Sequence, residues 1–178
     1  MTAAPETAAA ALERLTAVVP DFPMAGIVFR DLTPVFADAA ALRLVIDELI
    51  APFAGSYDVI AGVEARGFVL AAAAAVVAGT GVVMIRKAGK LPRATLSREY
   101  ALEYGTATLE LHSDELPEGT RVLLVDDVLA TGGTLEASLG LLGDAGLVAA
   151  GISVVLELEA LHGRTRIGDV PFATLQQV

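Results

Sequence analysis

The 178-residue chain predicts an α/β fold, a mainly parallel central sheet flanked by helices. Three observations carry this. Apolar runs of strand length at 57–61, 81–85, 121–126 and 149–156 alternate with helical patterns at the spacing of strand–helix–strand units. Hydrophobic residues make up 54% of the chain, enough for a core without staples and too many for disorder. Cysteine is absent, which excludes disulfides, thiolate metal sites and cysteine nucleophiles. No repeat, low-complexity tail or long linker interrupts residues 1–178, which read as a single domain.

Taken in order, residues 8–18 are Ala-rich and predict a short helix, broken by Pro20-Asp-Phe-Pro23. The Pro- and Gly-bounded stretch 23–34 reads as irregular, with Phe22 and Phe36 in the core. Over 38–51, Leu42, Val45, Ile46, Leu49 and Ile50 recur at helical spacing, and Pro52 ends the run. The strand 57–61 leads into Gly62-Val-Glu-Ala-Arg-Gly67. Residues 67–85 carry no charge and are long enough to span a bilayer. Gly79-Thr-Gly81 divides them, so they read as a buried helix (67–78) and a buried strand (81–85). Residues 87–104 form a polar segment read as a loop, and Thr106-Ala-Thr-Leu-Glu-Leu111 alternates like a strand with one wet face. Arg121-Val-Leu-Leu-Val-Asp126 is a strand that ends in acid. A Gly/Thr turn, a helix over 134–145 and the strand 149–156 follow. The turns at 62–67 and 126–134 both fall at carboxyl ends of strands, where ligands bind in parallel sheets.

Charge sharpens the picture. The net charge of −10 argues against a broad nucleic-acid or anionic-membrane surface. No basic residue precedes Glu6 and Glu13, a poor start for a secretory signal, and the expected location is cytoplasmic. Yet six of the twelve basic residues, Arg66, Arg86, Lys87, Lys90, Arg93 and Arg98, lie in one stretch free of Asp and Glu. An exposed basic loop and a local polyanion clamp both fit that pattern.

Val125-Asp-Asp-Val-Leu-Ala-Thr-Gly-Gly-Thr134 places a Gly-rich turn at the start of a helix. Unpaired amides and the helix dipole suit a phosphate monoester there. The turn has no Lys, so it is not a nucleoside-triphosphate loop, and its spacing is not GxGxxG. Asp126 and Asp127 would repel a phosphate but accept hydrogen bonds from vicinal hydroxyls. A diol on the acids and a phosphate on the turn together describe a ribose 5-phosphate.

The VLLVDDVLATGGT run resembles the signature of the type I phosphoribosyltransferases, which bind 5-phosphoribosyl 1-diphosphate (PRPP). Phe22-Pro, Gly26-Ile-Val-Phe-Arg-Asp-Leu-Thr-Pro34, Gly62-Val-Glu-Ala-Arg-Gly-Phe68, Ile85-Arg-Lys-Ala-Gly-Lys-Leu-Pro92 and Leu102-Glu-Tyr-Gly105 narrow the likeness to the adenine-using branch, from about residue 20 onward. The resemblance implies the type I fold, with a base-binding hood at about 20–36 and a flexible catalytic loop at about 87–104. It implies a 5′-phosphate site at Ala130, Thr131, Gly132, Gly133 and Thr134, and a ribose site at Asp126 and Asp127. It places the diphosphate at Ala65 and Arg66, on a backbone that is a candidate cis peptide, with Arg86, Lys87 and Lys90 adding charge. Val28, Phe29, Arg30 and Val128 would hold adenine, and Glu103 and Tyr104 would be delivered by the loop. Glu103, Arg66 and Tyr104 are the catalytic candidates.

The implied reaction is purine salvage: PRPP and adenine give AMP and diphosphate. Mg²⁺ would be held mainly by PRPP oxygens and water, with no direct protein ligand, and the assembly would be a homodimer. Ala88 and Arg93 stand where members often have Pro and a small residue, which bears on the loop and not on the reacting groups. A transferase for hypoxanthine, xanthine or orotate, or a PRPP-sensing regulator, are the alternatives. The first twenty residues hold only Arg14 as a basic group, too few for a DNA-binding element. His112 and His162 read as surface or structural. The stretch 157–164 resembles a family segment and receives no catalytic role.

Overall fold

A computed structural model of the chain describes residues 6–101 and 105–178. Thr7 caps helix α1 (Ala8–Leu15), and strands β1 (Ala17–Pro20) and β2 (Val28–Asp31) then pair antiparallel. Helices α2 (Thr33–Ala37) and α3 (Ala39–Ile50) follow. The Asp38 carboxylate caps α3 by accepting from the Ala40 and Ala41 amides at 3.0 Å. The chain continues through β3 (Val59–Val63), α4 (Arg66–Ala78), β4 (Gly81–Lys87), β5 (Thr95–Ala101) and β6 (Thr106–His112). It ends with β7 (Arg121–Leu129), α5 (Gly133–Asp144), β8 (Val148–Glu157) and β9 (Phe172–Gln177).

Among the described residues, seven strands form one sheet in the order β5-β6-β4-β3-β7-β8-β9. Strands β4, β3, β7, β8 and β9 run parallel, and the β5–β6 hairpin joins β4 antiparallel. Successive side chains go to opposite faces. Ile60, Leu123 and Val125 enter a core with α1, α3 and α4, while Ala61, Val122 and Leu124 enter one with α5. The expected mainly parallel sheet with helices on both faces is what forms.

Several local expectations are corrected. The stretch 23–34, expected to be irregular, holds β2, and its partner β1 takes up residues 17–20, where the expected helix 8–18 and the Pro20 break meet. The Pro and Gly residues mark the connection, where the Asp21 carboxylate accepts from the Gly26 amide at 2.7 Å. Phe22 is not core: it is 50% exposed and packs edge-on against Phe29, with ring centroids 5.2 Å apart. Phe36 does lie against the α3 core. Helix α4 is not wholly buried, since Val69, Val76 and Val77 reach solvent; a sequence that is apolar from Gly67 onward hides which side faces inward.

The segment 87–104 is not simply a loop, because residues 95–101 form β5. Leu96 and Tyr100 pack toward the α5 core, and Arg98, between them on the same strand face, pairs with Asp144 at the end of α5 at 2.9 Å, a face that the segment's charge conceals. Strand β7 runs past Asp126 to Leu129 because β8 continues beside it. Helix α2 and strand β9 have no counterpart in the sequence reading. No helix among the described residues is long and apolar enough to cross a membrane.

Candidate active site

Pairing of β3 with β7 ends at Gly62–Val125, whereas β7 and β8 stay paired to Leu129–Glu157. The carboxyl end of β7 thus outlasts its neighbour, and a cleft of about 570 Å³ opens beside it. The chain leaving β3 turns tightly into α4. A Cβ on Gly62 would come within 2.6 Å of the Gly67 carbonyl oxygen, and one on Gly67 within 2.9 Å of Asp126 Oδ1. Only glycine permits this approach, which brings the 64–66 turn against the acids of β7. The Glu64–Ala65 peptide within that turn is cis.

Asp126 and Asp127 lie inside β7 and are buried. The Asp127 amide donates to Asp126 Oδ1 at 2.9 Å. Burial first, then the charge of Asp127, push the Asp126 carboxyl well above the ordinary aspartate range. Arg66, the first residue of α4, pairs with Asp127 Oδ2 and carries its guanidinium 5.2 Å from the Phe29 ring centroid. That ion pair lacks hydrogen-bond geometry, so Asp127 Oδ2 is buried with an unused acceptor.

Glu64 gathers the neighbouring cations. Its carboxylate accepts from the Lys87 amide at 2.9 Å and from the Lys90 ammonium, and Arg86 Nε stands 3.7 Å away. Burial opposes its ionisation, but these partners outweigh burial and hold Glu64 below the usual range. Arg86 and Lys90, expected at the diphosphate, therefore turn toward Glu64 and do not line the cleft, while Lys87 does. Arg86 Nη1 also donates to the Lys90 carbonyl at 3.2 Å, and Arg86 Nε is buried without a hydrogen-bond partner.

Val28, Phe29 and Arg30 of β2 and Val128 of β7 line the same cleft, as do Ala65, Arg66, Asp126, Asp127, Ala130 and Thr134. Thr131, Gly132 and Gly133 lie on the turn between the last two. Gly132 has φ +84°, open to glycine and strained for other residues, and leads into α5. Glu103 and Tyr104 fall outside the described residues. Ile27, Glu64, Tyr100 and Leu158 also line the cleft without having been singled out. Glu64 sits within the Gly62–Gly67 turn, a readable signal, and Tyr100 shares a β5 face with Leu96, whereas nothing in the sequence marks Leu158. His112 is buried with Nδ1 3.4 Å from the Ala94 carbonyl, and His162 lies outside the cleft. No group of three or more His, Asp or Glu side chains arranged to hold a metal occurs among the described residues.

The cleft therefore offers an aromatic and apolar wall, buried carboxylates that accept hydrogen bonds, and an amide-lined turn suited to an anion. Residues 34–172 match the family model of the phosphoribosyl transferase domain. The adenine phosphoribosyltransferase of Renibacterium salmoninarum is 66% identical over 153 residues, covering 86% of this chain and 84% of that protein. The crystal structure of adenine phosphoribosyltransferase from Rhodothermus marinus superposes with TM-score 0.90 at 44% identity, covering 96% of this chain and 98% of that one. The Saccharomyces cerevisiae enzyme, solved with an imino-altritol bisphosphate and adenine, gives TM-score 0.90 at 34% identity, covering 95% and 98%.

Proposed function

We propose that this chain, which belongs to the adenine phosphoribosyltransferase family, moves the 5-phosphoribosyl group of PRPP onto adenine to give AMP and diphosphate, a purine-salvage reaction. The observation that carries this is one cleft lined at once by Phe29 and Val128, by Asp126 and Asp127, and by the turn that opens α5. The whole chain acts as one domain in this reading, with 20–36 as hood and 87–104 as catalytic loop.

The 130–134 turn takes the 5′-phosphate on its amides, Thr131 and Thr134 hydroxyls adding donors. Asp126 and Asp127 accept from the ribose hydroxyls, which orients C1 of the sugar. Phe29 stacks on adenine opposite Val128, and backbone groups of Val28 and Arg30 read its edge; a carbonyl there accepts from a 6-amino group and disfavours a 6-oxo base. Adenine N9 supplies the electron pair for the new bond to C1, and diphosphate departs with the pair of the old bond, with inversion through an oxocarbenium-like transition state. Arg66 and Lys87 face the leaving group across the 64–66 turn. Arg86 and Lys90, held now by Glu64, add charge when a polyanion competes for them. Glu103 handles the proton or charge near the base, and Tyr104 closes beside it.

The donor set also fits a hard cation: buried carboxylates, one with an unused acceptor, beside a site for polyanion oxygens. Asp126 and Asp127 would hold Mg²⁺ arriving on PRPP through water, and the ion would supply neutralisation of charge on the departing diphosphate. A cytoplasmic homodimer completes the proposal. Exposed Val69, Val76 and Val77 on α4, with Val82 and Met84 on β4, support a partnered face.

Incubation with PRPP, Mg²⁺ and radiolabelled adenine, hypoxanthine or orotate tests the reading. AMP formation from adenine alone is the expected result. Turnover of hypoxanthine and not adenine would overturn the base assignment, and PRPP binding with no turnover of any base would overturn the enzyme.

A further inference from the structure

Glu157, the last residue of β8, is a buried carboxylate (6% exposed) with no place in the reaction above. Arg164 grips it with two parallel bonds, Nε and Nη2 each donating at 2.9 Å, and Gln177 Nε2 adds a third at 3.0 Å. The same guanidinium lies 4.3 Å from the Phe172 ring centroid, so it is fixed from two sides. Between the two partners the chain folds back through His162, at φ +52°. The Leu158 amide donates to the Leu129 carbonyl at 2.9 Å at one end of this fold. At the other, Arg166 Nη1 stands 3.7 Å from Glu136 Oε2 in the first turn of α5.

At the centre of this fold is Gly163. A Cβ there would come within 2.8 Å of Leu129 Cδ1 and 3.0 Å of the Gly132 nitrogen, and would collide with the Ala130 carbonyl oxygen. Reciprocally, a Cβ on Gly132 would collide with the Gly163 carbonyl oxygen and come within 3.1 Å of its carbon. Backbone therefore presses on backbone at the turn assigned to the 5′-phosphate.

We propose that the Glu157–Arg164 pair positions the phosphate turn: by fixing Gly163, it braces 130–134 in its binding conformation before substrate arrives. Glu157 and Arg164 are positioning residues, since neither lines the cleft. The physical gain is preorganisation. A turn with one residue at positive φ loses its aligned amides if free to relax, and binding would then have to order it. The inference rests on the phosphoribosyl-transfer reading and adds to it a determinant of sugar-phosphate affinity on the far side of the turn.

Steady-state kinetics of Arg164→Lys and Glu157→Gln, with the parent protein alongside, test it. Lys keeps the charge but loses the two-pronged grip, and Gln keeps the shape. In both, KM for PRPP should rise about fivefold or more, and ribose 5-phosphate should compete more weakly, while KM for adenine stays within about twofold of the parent. A fall in thermal midpoint with PRPP and adenine KM unchanged would overturn the proposal, as would equal rises in both KM values. If Glu157→Gln fails to fold, Arg164→Lys alone decides by the same criteria, its side chain being half-exposed. Absence of turnover in the parent would count against the reaction itself; normal parent turnover with unmoved variants counts against the brace alone.

Discussion

At the phosphate end of the cleft, β7, β8 and α5 enclose Asp126, Asp127 and the 130–134 turn within the body of the sheet, and the 158–166 segment presses on the turn from behind. At the base end, Val28, Phe29 and Arg30 ride on a two-stranded hairpin that shares no strand with that sheet and exposes Val18, Phe22 and Val28. Two-stranded ribbons draw little stability from their own pairing. The sugar-phosphate grip is thus inseparable from the core, while base reading is carried by an element that can change without disturbing it. Substitutions at the first end should strike PRPP affinity, and those at the second base affinity alone.

The most damaging test of this contrast is Gly132→Ala. A side chain at φ +84° that also runs into Gly163 is expected to lower kcat/KM for PRPP by more than about 100-fold, strain of roughly 1–3 kcal/mol adding to displacement of the amides. Asp127→Asn comes next. Losing a charged acceptor of about 1.5–3 kcal/mol should raise KM for PRPP roughly tenfold to hundredfold. Glu103→Ala should instead lower kcat with a smaller change in KM for PRPP, and parental kinetics in both variants would remove these assignments.

Phe29→Ala probes the hood. Loss of stacking worth about 0.5–1.5 kcal/mol predicts a KM for adenine raised roughly threefold to tenfold, with KM for PRPP nearly constant. Equal rises in both would show that the two ends are not separable.

Asp126→Asn gives the smallest effect and the opposite sign on stability. The Asp126 carboxyl titrates above its unfolded value near 3.8, so the native state holds a proton that the unfolded chain sheds. Its contribution is present at pH below that unfolded value and is lost as pH rises through the raised one. The variant should therefore melt at a higher temperature at neutral pH, while binding PRPP less well. Thermal melts across pH check it; a lower midpoint at neutral pH would contradict the burial argument.

The phosphate end was also the more legible one. Val125-Asp-Asp, the Thr-Gly-Gly-Thr turn and the flanking apolar runs report their structure locally, because strand length, turn chemistry and helix start are short-range properties. The hairpin is hidden because Ala17 and Val18 continue an Ala-rich helical run, Pro20, Pro23 and Gly26 interrupt any period after it, and the pairing joins Ala17 to Asp31 across that break. Glu64's hold on Arg86 and Lys90 was invisible because basic residues in a row say nothing about which acid they will meet. Val76 is 83% exposed within a helix that is apolar from Gly67 onward, where composition alone cannot orient a face. Gly163 lies thirty-one positions beyond Gly132, so its close approach shows only in the fold.

The most direct measurement is a crystal structure of this protein soaked with PRPP and Mg²⁺. The account predicts the 5′-phosphate on the amides of 131–134, the ribose hydroxyls on Asp126 and Asp127, and the diphosphate beside Ala65 and Arg66. PRPP bound elsewhere, with the 130–134 turn empty of phosphate, would contradict it.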